Sequence, residues 1–239
     1  HNERHIYPAI PPNWDQGNIK PSQAQDVIIE GVDSKKPIYF TPYLLTGYTG
    51  INELNSDNSD YYLNDSNELE VGFDLKYNVT SNLTLDLTAN TDFAQVEADH
   101  QQLNLTRFAV SFPEKRQFFQ QRAGLFTFNF GNTNVFYSRR IGLDANGEPV
   151  RILGGGRLTG RINDLDIGVI NMQTEASSGF PSENFGVVRM KKTVVNPQSY
   201  VGGIYTSRIG SDGSTNLVLG VDGDFNIFGD DFIEMRLSQ

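Results

Sequence analysis

Cysteine is missing from this 239-residue chain. Its absence excludes a disulfide framework, thiolate metal ligands and a cysteine nucleophile. Histidine is scarce: His1, His5 and His100 stand too far apart in type and spacing to form a metal set, and neither a metal nor another cofactor is expected. Positive charge is also short. Nineteen Lys and Arg face 29 Asp and Glu, a formal net charge of −10. That is the wrong sign for neutralising phosphates, so no nucleic-acid partner is expected. No apolar run approaches the roughly 18 residues of a spanning helix. The mean hydropathy of −0.40 decides nothing about membrane strands, because only alternate residues of such a strand meet lipid.

What the sequence does have is alternation. Along residues 68–79, Leu69, Val71, Phe73, Leu75, Tyr77 and Val79 share one face, opposite Glu68, Glu70, Gly72, Asp74, Lys76 and Asn78. After the turn "VTSN", Leu83, Leu85, Leu87 and Ala89 continue the pattern against Thr84, Asp86 and Thr88. The same period-two signal of a one-sided strand returns in Leu217–Ile227 and in Ile233–Leu237. Four hairpins are expected: 68–78 with 83–93, 150–162 with 166–176, 184–195 with 199–210, and 215–227 with 232–238. Residues 37–51 read as an irregular or edge strand because of Pro42. The polar stretch 52–67 reads as a solvated loop, since its acids do not fall at the positions of a calcium loop.

Each expected strand is roughly 10 to 12 residues, enough for a tilted strand to cross a bilayer. Tight turns at one end alternate with longer links at the other: 94–149, "SSGFPSE" and "SDGS". That asymmetry favours an all-β, antiparallel transmembrane β-barrel with a large inserted loop segment, 94–149. A soluble β-sandwich binding module is the alternative, with the apolar faces as its core. Tyr77, Tyr200 and Phe228, near turns, suit the aromatic girdles of the barrel reading. In "VVRMKKT", Arg189 and Lys191 share one face and Lys192 the other, so Lys192 belongs near an interface if these strands cross lipid. Residues 1–36, with Pro8, Pro11, Pro12 and Pro21, show no strand or helix period and read as a linker. The chain starts at His1 and ends in strand-like "DFIEMRLSQ", so it is expected to be part of a longer protein whose further strands complete the barrel, because an open edge cannot stay in lipid.

The alternation slips at Asp92–Phe93, where Ala94, Val96 and Ala98 take over the face of Asp92, the mark of a bulge or an exit from the sheet. The segment that follows, "TDFAQVEADHQQLNLTRFAVSFPEKRQFFQQRAGLF", together with "VFYSRRIG" and the earlier "TPYLLTGYT", resembles the domain family of unknown function numbered 5916. The resemblance implies an outer-membrane barrel portion of a Gram-negative, Bacteroidetes-type cell envelope, spanning 37–239. It also implies that 1–36 links to an upstream periplasmic domain like carbohydrate-binding family 9. The implied location is the outer membrane and the implied partners are its lipid, a glycan ligand and other envelope proteins. The role would be ligand binding or passage, or membership of an envelope complex.

Family members are often labelled hydrolases, so a carbohydrate-active enzyme is the alternative function. Its candidate acids are Glu97, Asp99 and Glu114, because glycosidases act with two carboxyl groups. The same segment holds Asp92, Gln95, Arg107, Lys115, Arg116, Arg139 and Arg140. Carboxylates beside arginines are drawn to lower pKa, the wrong direction for a general acid. Structural ion pairing of this cluster is therefore the favoured reading over catalysis. Phe108, Phe112, Phe118, Phe119, Phe126, Phe128 and Phe130 are expected to form the segment's own apolar cluster.

Overall fold

A computed structural model describes residues 36–57, 59–91, 113–130, 133–144, 147, 149–177, 179–228 and 231–239. Eleven strands follow in chain order: β1 (Ile38–Leu54), β2 (Tyr61–Asn78), β3 (Leu83–Ala89), β4 (Asn129–Phe130), β5 (Thr133–Asn134), β6 (Ile152–Ile162), β7 (Leu165–Thr174), β8 (Glu183–Thr193), β9 (Tyr200–Gly210), β10 (Thr215–Phe228) and β11 (Asp231–Ser238). Nine of them form one antiparallel sheet in the order β1-β2-β3-β6-β7-β8-β9-β10-β11, and β4 with β5 makes a small separate hairpin. The described strands form an open sheet whose edges are β1 and β11.

The four expected hairpins are present, each with ends shifted by a few residues. The strand expected over 83–93 stops at Ala89, where Asn90 takes a positive φ of 52°. Between β3 and β6 the chain leaves the sheet, and the two strands pair directly with each other.

The loop expected over 52–67 is a correction. β1 runs on to Leu54 and β2 already begins at Tyr61, paired Leu54↔Tyr61 through Ile38↔Tyr77. Only 55–60 turns, held by the Asn55 carboxamide, which accepts the Ser59 N–H at 2.9 Å. The ladder continues here although its outward residues Asp65 and Asn67 are polar. Backbone pairing does not require an apolar face, whereas a pattern search does.

Register sorts the side chains onto two faces. One face carries Leu69, Val71, Phe73, Leu87, Leu217, Leu219, Val221, Ile233, Met235 and Leu237, all exposed. We call it the open face. The other, covered face carries the part of the inserted segment that is described. That part folds as a one-turn helix α1 (Gln117–Gln120), the β4–β5 hairpin and two 3-10 turns, Ala123–Phe126 and Ser138–Arg140. Its Phe119, Phe126, Phe128 and Ile141 are buried in one cluster with Ile152, Ile170, Met172, Phe185, Val187 and Ile204 of the sheet. Phe119, Phe126 and Phe128 are thus not a cluster of their own; they complete a core whose other half is the covered face of β6 to β9.

This arrangement explains two strands with a weak alternation. Val169 and Ile170, like Val187 and Val188, put apolar groups on both faces, because under the segment the covered face is itself a core. Tyr200 is a second correction: it is not part of an outward aromatic girdle. It lies on the covered face, and its hydroxyl donates to Asp222 Oδ2 at 3.1 Å. Lys192 is exposed on the open face, one residue from the end of β8 and paired with Leu165 beside the 163–164 turn.

Candidate functional site

The inserted segment is tied to itself before it is tied to the sheet. Arg116 is the knot. Its Nε and Nη2 donate to the two oxygens of Glu114, each at 2.9 Å. The same guanidinium donates to the Ile141 carbonyl and the Ser138 carbonyl, both at 2.7 Å, and stacks 4.4 Å from the centroid of Phe119. Ser138 Oγ donates to Glu114 at 2.6 Å, and Arg139 donates to the Pro113 carbonyl at 3.1 Å. The stretches "PEKRQFFQ" and "FYSRRIG", some twenty residues apart in sequence, are therefore bonded into one unit. Planar, forked donors suit arginine to such a junction, where a lysine would satisfy one partner at a time.

Among the sequence-predicted site residues, Glu114, Arg116 and Arg139 meet in this junction. Arg140 turns to the Asp144 carbonyl at 3.0 Å, and Lys115 lies half-buried beside Glu114 in the chain. Asp92, Gln95, Glu97, Asp99 and Arg107 lie outside the described residues, as do Phe108 and Phe112.

Burial works against ionisation of Glu114, but the bonds and charge of Arg116, with the Ser138 hydroxyl, outweigh it and hold the carboxyl below the ordinary glutamate range. A depressed folded-state pKa gives stability that is present above the unfolded value and lost as pH falls through the folded one. Glu114→Gln is accordingly expected to lower the unfolding temperature at pH 7. The gap between variant and parent should close as pH drops below about 4.3, the ordinary glutamate value. Thermal melts from pH 7 to pH 3 check this; a gap that does not change with pH would show that the carboxylate charge is not what holds the junction.

The segment docks on the sheet through aromatic rings over glycines and arginines. A Cβ at Gly168 of β7 would lie 2.7 Å from Phe126, and one at Gly220 of β10 the same distance from Phe128. The two bare positions are the seats of the two rings. Arg189 of β8 stacks on Phe128 with 5.4 Å to the centroid. It also forms a two-pronged pair with Asp222 of β10, at 2.7 and 2.5 Å. Between them runs β9, and a Cβ at Gly202 would come within 2.7 Å of Asp222 Oδ1 and 2.9 Å of Arg189 Nη1. The pair thus bridges three strands by passing over a glycine.

A second set lies toward β1. Asp86 of β3 accepts from Arg157 Nη2 of β6 at 2.9 Å and has Lys76 Nζ of β2 at 3.4 Å. These three are direct register neighbours, Lys76↔Asp86 and Asp86↔Arg157. Arg157 also donates to the Gln121 carbonyl at 2.8 Å and stands 5.2 Å from the Phe118 centroid, while Lys76 donates to the Gln121 side chain. Beside this set opens a cavity of about 250 Å³ lined by Tyr39, Asp74, Gln117 and Phe118, among others.

Arg157, Asp86, Arg189 and Asp222 are the functional candidates that the sequence pattern did not single out. The signal was present as opposite charges on the polar sides of strands that are adjacent, for Asp86 and Arg157, or one strand apart, for Arg189 and Asp222. Converting it into contacts needs the register, because the partners lie 71 and 33 positions apart.

With this geometry in place, the comparisons can be stated. The model of the family described as "Domain of unknown function (DUF5916)" matches residues 38–157, from the first residue of β1, through the inserted segment, to Arg157 of β6. No curated protein and no solved structure matches the chain. The chain belongs to the DUF5916 family.

Proposed function

We propose that this member of the family is a portion of an outer-membrane β-barrel whose lumen is occupied by its own inserted segment, and that it serves ligand binding or gated passage, or joins an envelope complex. The observation that carries the reading is the polarity of the two faces. Leu69 is 70% exposed, Val71 65%, Leu219 63% and Leu237 69% on the open face. The charges are turned the other way, with Arg157 and Arg189 buried against the segment. In water an apolar band spread over the strands of a sheet is costly to leave open. Against hydrocarbon it is the favoured outer surface. From Leu69 to Tyr77 the band extends roughly 26 Å along β2 at about 3.3 Å per residue, comparable with the apolar band of a membrane barrel, about 25 Å tall.

The turns agree with this orientation. The β2–β3, β6–β7, β8–β9 and β10–β11 strand ends that are joined lie at one end of the sheet, and those of β1–β2, β3–β6, β7–β8 and β9–β10 at the other. The end with the longer connections is the extracellular side in outer-membrane barrels. Lys192 then falls at the interface of the short-turn end, where a cation costs little. The inserted segment supports binding or gating over an open pore, because it fills the covered face from β6 to β10. Glu114, held ionised by Arg116, is poorly suited to donating a proton to a glycosidic oxygen.

Extraction decides the matter. The protein is expected to fractionate with membranes, to require detergent, and to migrate faster on gels when unheated. Val221→Arg, near the middle of the outward row of β10, is expected to cost about 2–4 kcal/mol of folding stability in lipid. A protein that stays in solution without detergent, and tolerates Val221→Arg within about 0.5 kcal/mol as an exposed soluble site would, refutes the barrel.

A further inference from the structure

Resting on the reading of the covered face as a lumen, we infer that the cavity between β1, β2, β3, β6 and the helix α1 is a subsite for an uncharged pyranose unit of a glycan. Its volume of about 250 Å³ equals roughly eight waters at ~30 Å³ each, space for one sugar ring with its hydroxyls and not for a long ligand.

The chemistry of the lining selects the class. Asp86 and Arg157 are buried and bonded to each other, which leaves the exposed Asp74 and the partly exposed Lys76, one charge of each sign, to face a ligand, so neither an anion nor a cation is favoured. What remains is a ligand whose groups both donate and accept, and vicinal hydroxyls do so. The Asp74 carboxylate and the amide oxygens accept from them, while the Lys76 ammonium and the amide N–H groups donate to them. The Gln117 and Gln121 side chains reach the same cavity from the inserted segment.

Aromatic faces complete the set. Tyr39 lies on the covered face of β1, paired across to Lys76, and Phe118 lies on α1. An aromatic ring offers a flat apolar wall for the C–H face of a pyranose. Arg157 is 1% exposed and lines the cavity, its guanidinium held there by Asp86 and the Gln121 carbonyl.

A pyranose can arrive as a free oligosaccharide or as the sugar of a surface glycolipid, and the test has an arm for each. Detergent-purified protein, with its barrel state established separately by heat-modifiable migration, is titrated calorimetrically. One arm uses malto-, cello-, xylo- and manno-oligosaccharides; the other uses lipopolysaccharide in mixed micelles. Binding in either arm is expected to weaken roughly tenfold in Tyr39→Ala, the size of a lost stacking contact. Gln117→Ala is expected to weaken it severalfold. Both residues are exposed at the cavity mouth, so heat-modifiable migration should be unchanged in both variants. A protein that shows the barrel migration yet binds nothing in either arm overturns the subsite. Binding that neither variant weakens overturns it too, by placing the sugar elsewhere. Solubility without detergent would instead refute the barrel reading, and the titration would still report on the subsite.

Discussion

Asp222→Ala is expected to destabilise the folded protein by about 3–5 kcal/mol, because it strands the fully buried guanidinium of Arg189. The carboxylate takes both prongs of that guanidinium and also the Tyr200 hydroxyl, so three donors lose their acceptor together. Water cannot replace it easily: the Arg189 side chain is 0% exposed and that of Asp222 2%. The double replacement Arg189→Met with Asp222→Leu should recover most of the loss, since a buried ion pair exchanged whole for apolar groups of similar size is often neutral. The measurement is the denaturant midpoint for parent, single and double variants. Equal losses in the single and double variants would mean that the pair itself, and not the stranded charge, carries the stability.

Phe128→Ala is expected to be nearly as damaging, at about 3–5 kcal/mol for loss of a fully buried ring, and its effect should concentrate in the inserted segment. Phe128 is 1% exposed, sits over Gly220 and stacks on Arg189. Its removal takes away the ring that joins the segment to β8 and β10. Gly220→Val approaches the same contact from the sheet side. Its Cβ would meet Phe128 at 2.7 Å and Ile204 at 3.0 Å, so overpacking of about 1–3 kcal/mol is expected. Thr127→Ala, at an exposed neighbour, should stay within about 0.5 kcal/mol. Limited proteolysis between residues 113 and 142 provides the readout, with cleavage rising in the first two variants and not in the third. Cleavage that rises only when the whole sheet melts would show that the segment has no docking equilibrium of its own.

The strands could be read in the sequence wherever the two faces differ chemically. Leu69 to Tyr77 and Leu217 to Ile227 alternate against Glu, Asp, Lys and Asn, and both lie in strands with the expected facing. The pattern faded where a face has another job. Ile170 and Val187 support the inserted segment, so β7 and β8 are apolar on both sides. It faded again at 52–67, where the outward Asp65 and Asn67 of the β1–β2 hairpin are polar and the backbone ladder nevertheless continues. The inserted segment has no period to read. The helix in its described part is one turn, tied in place by Arg116 through Glu114, Ser138 and Ile141.

For the candidate site, Glu114 and Arg116 were legible because they are two residues apart. The charge sets on β2, β3 and β6 and on β8 and β10 were not, since the residues become neighbours only once nine strands are in register.

The bridge from Arg189 to Asp222 over Gly202 also acts as a gauge during assembly. A strand that pairs one residue out of register presents every side chain to the wrong side. For β10, such a slip would send Asp222 and Asp224 outward and turn Val221 in; for β9 it would put Val201 or Gly203 beneath the bridge. The native alignment places a residue without a side chain under the guanidinium while the carboxylate stands opposite. Misaligned chains would carry a bare carboxylate onto the apolar open face and leave Arg189 without its two-pronged partner. A bulkier residue at 202 would meet Asp222 Oδ1 at 2.7 Å and Arg189 Nη1 at 2.9 Å, so it would work against the native register of β8, β9 and β10 as well as against the pair itself.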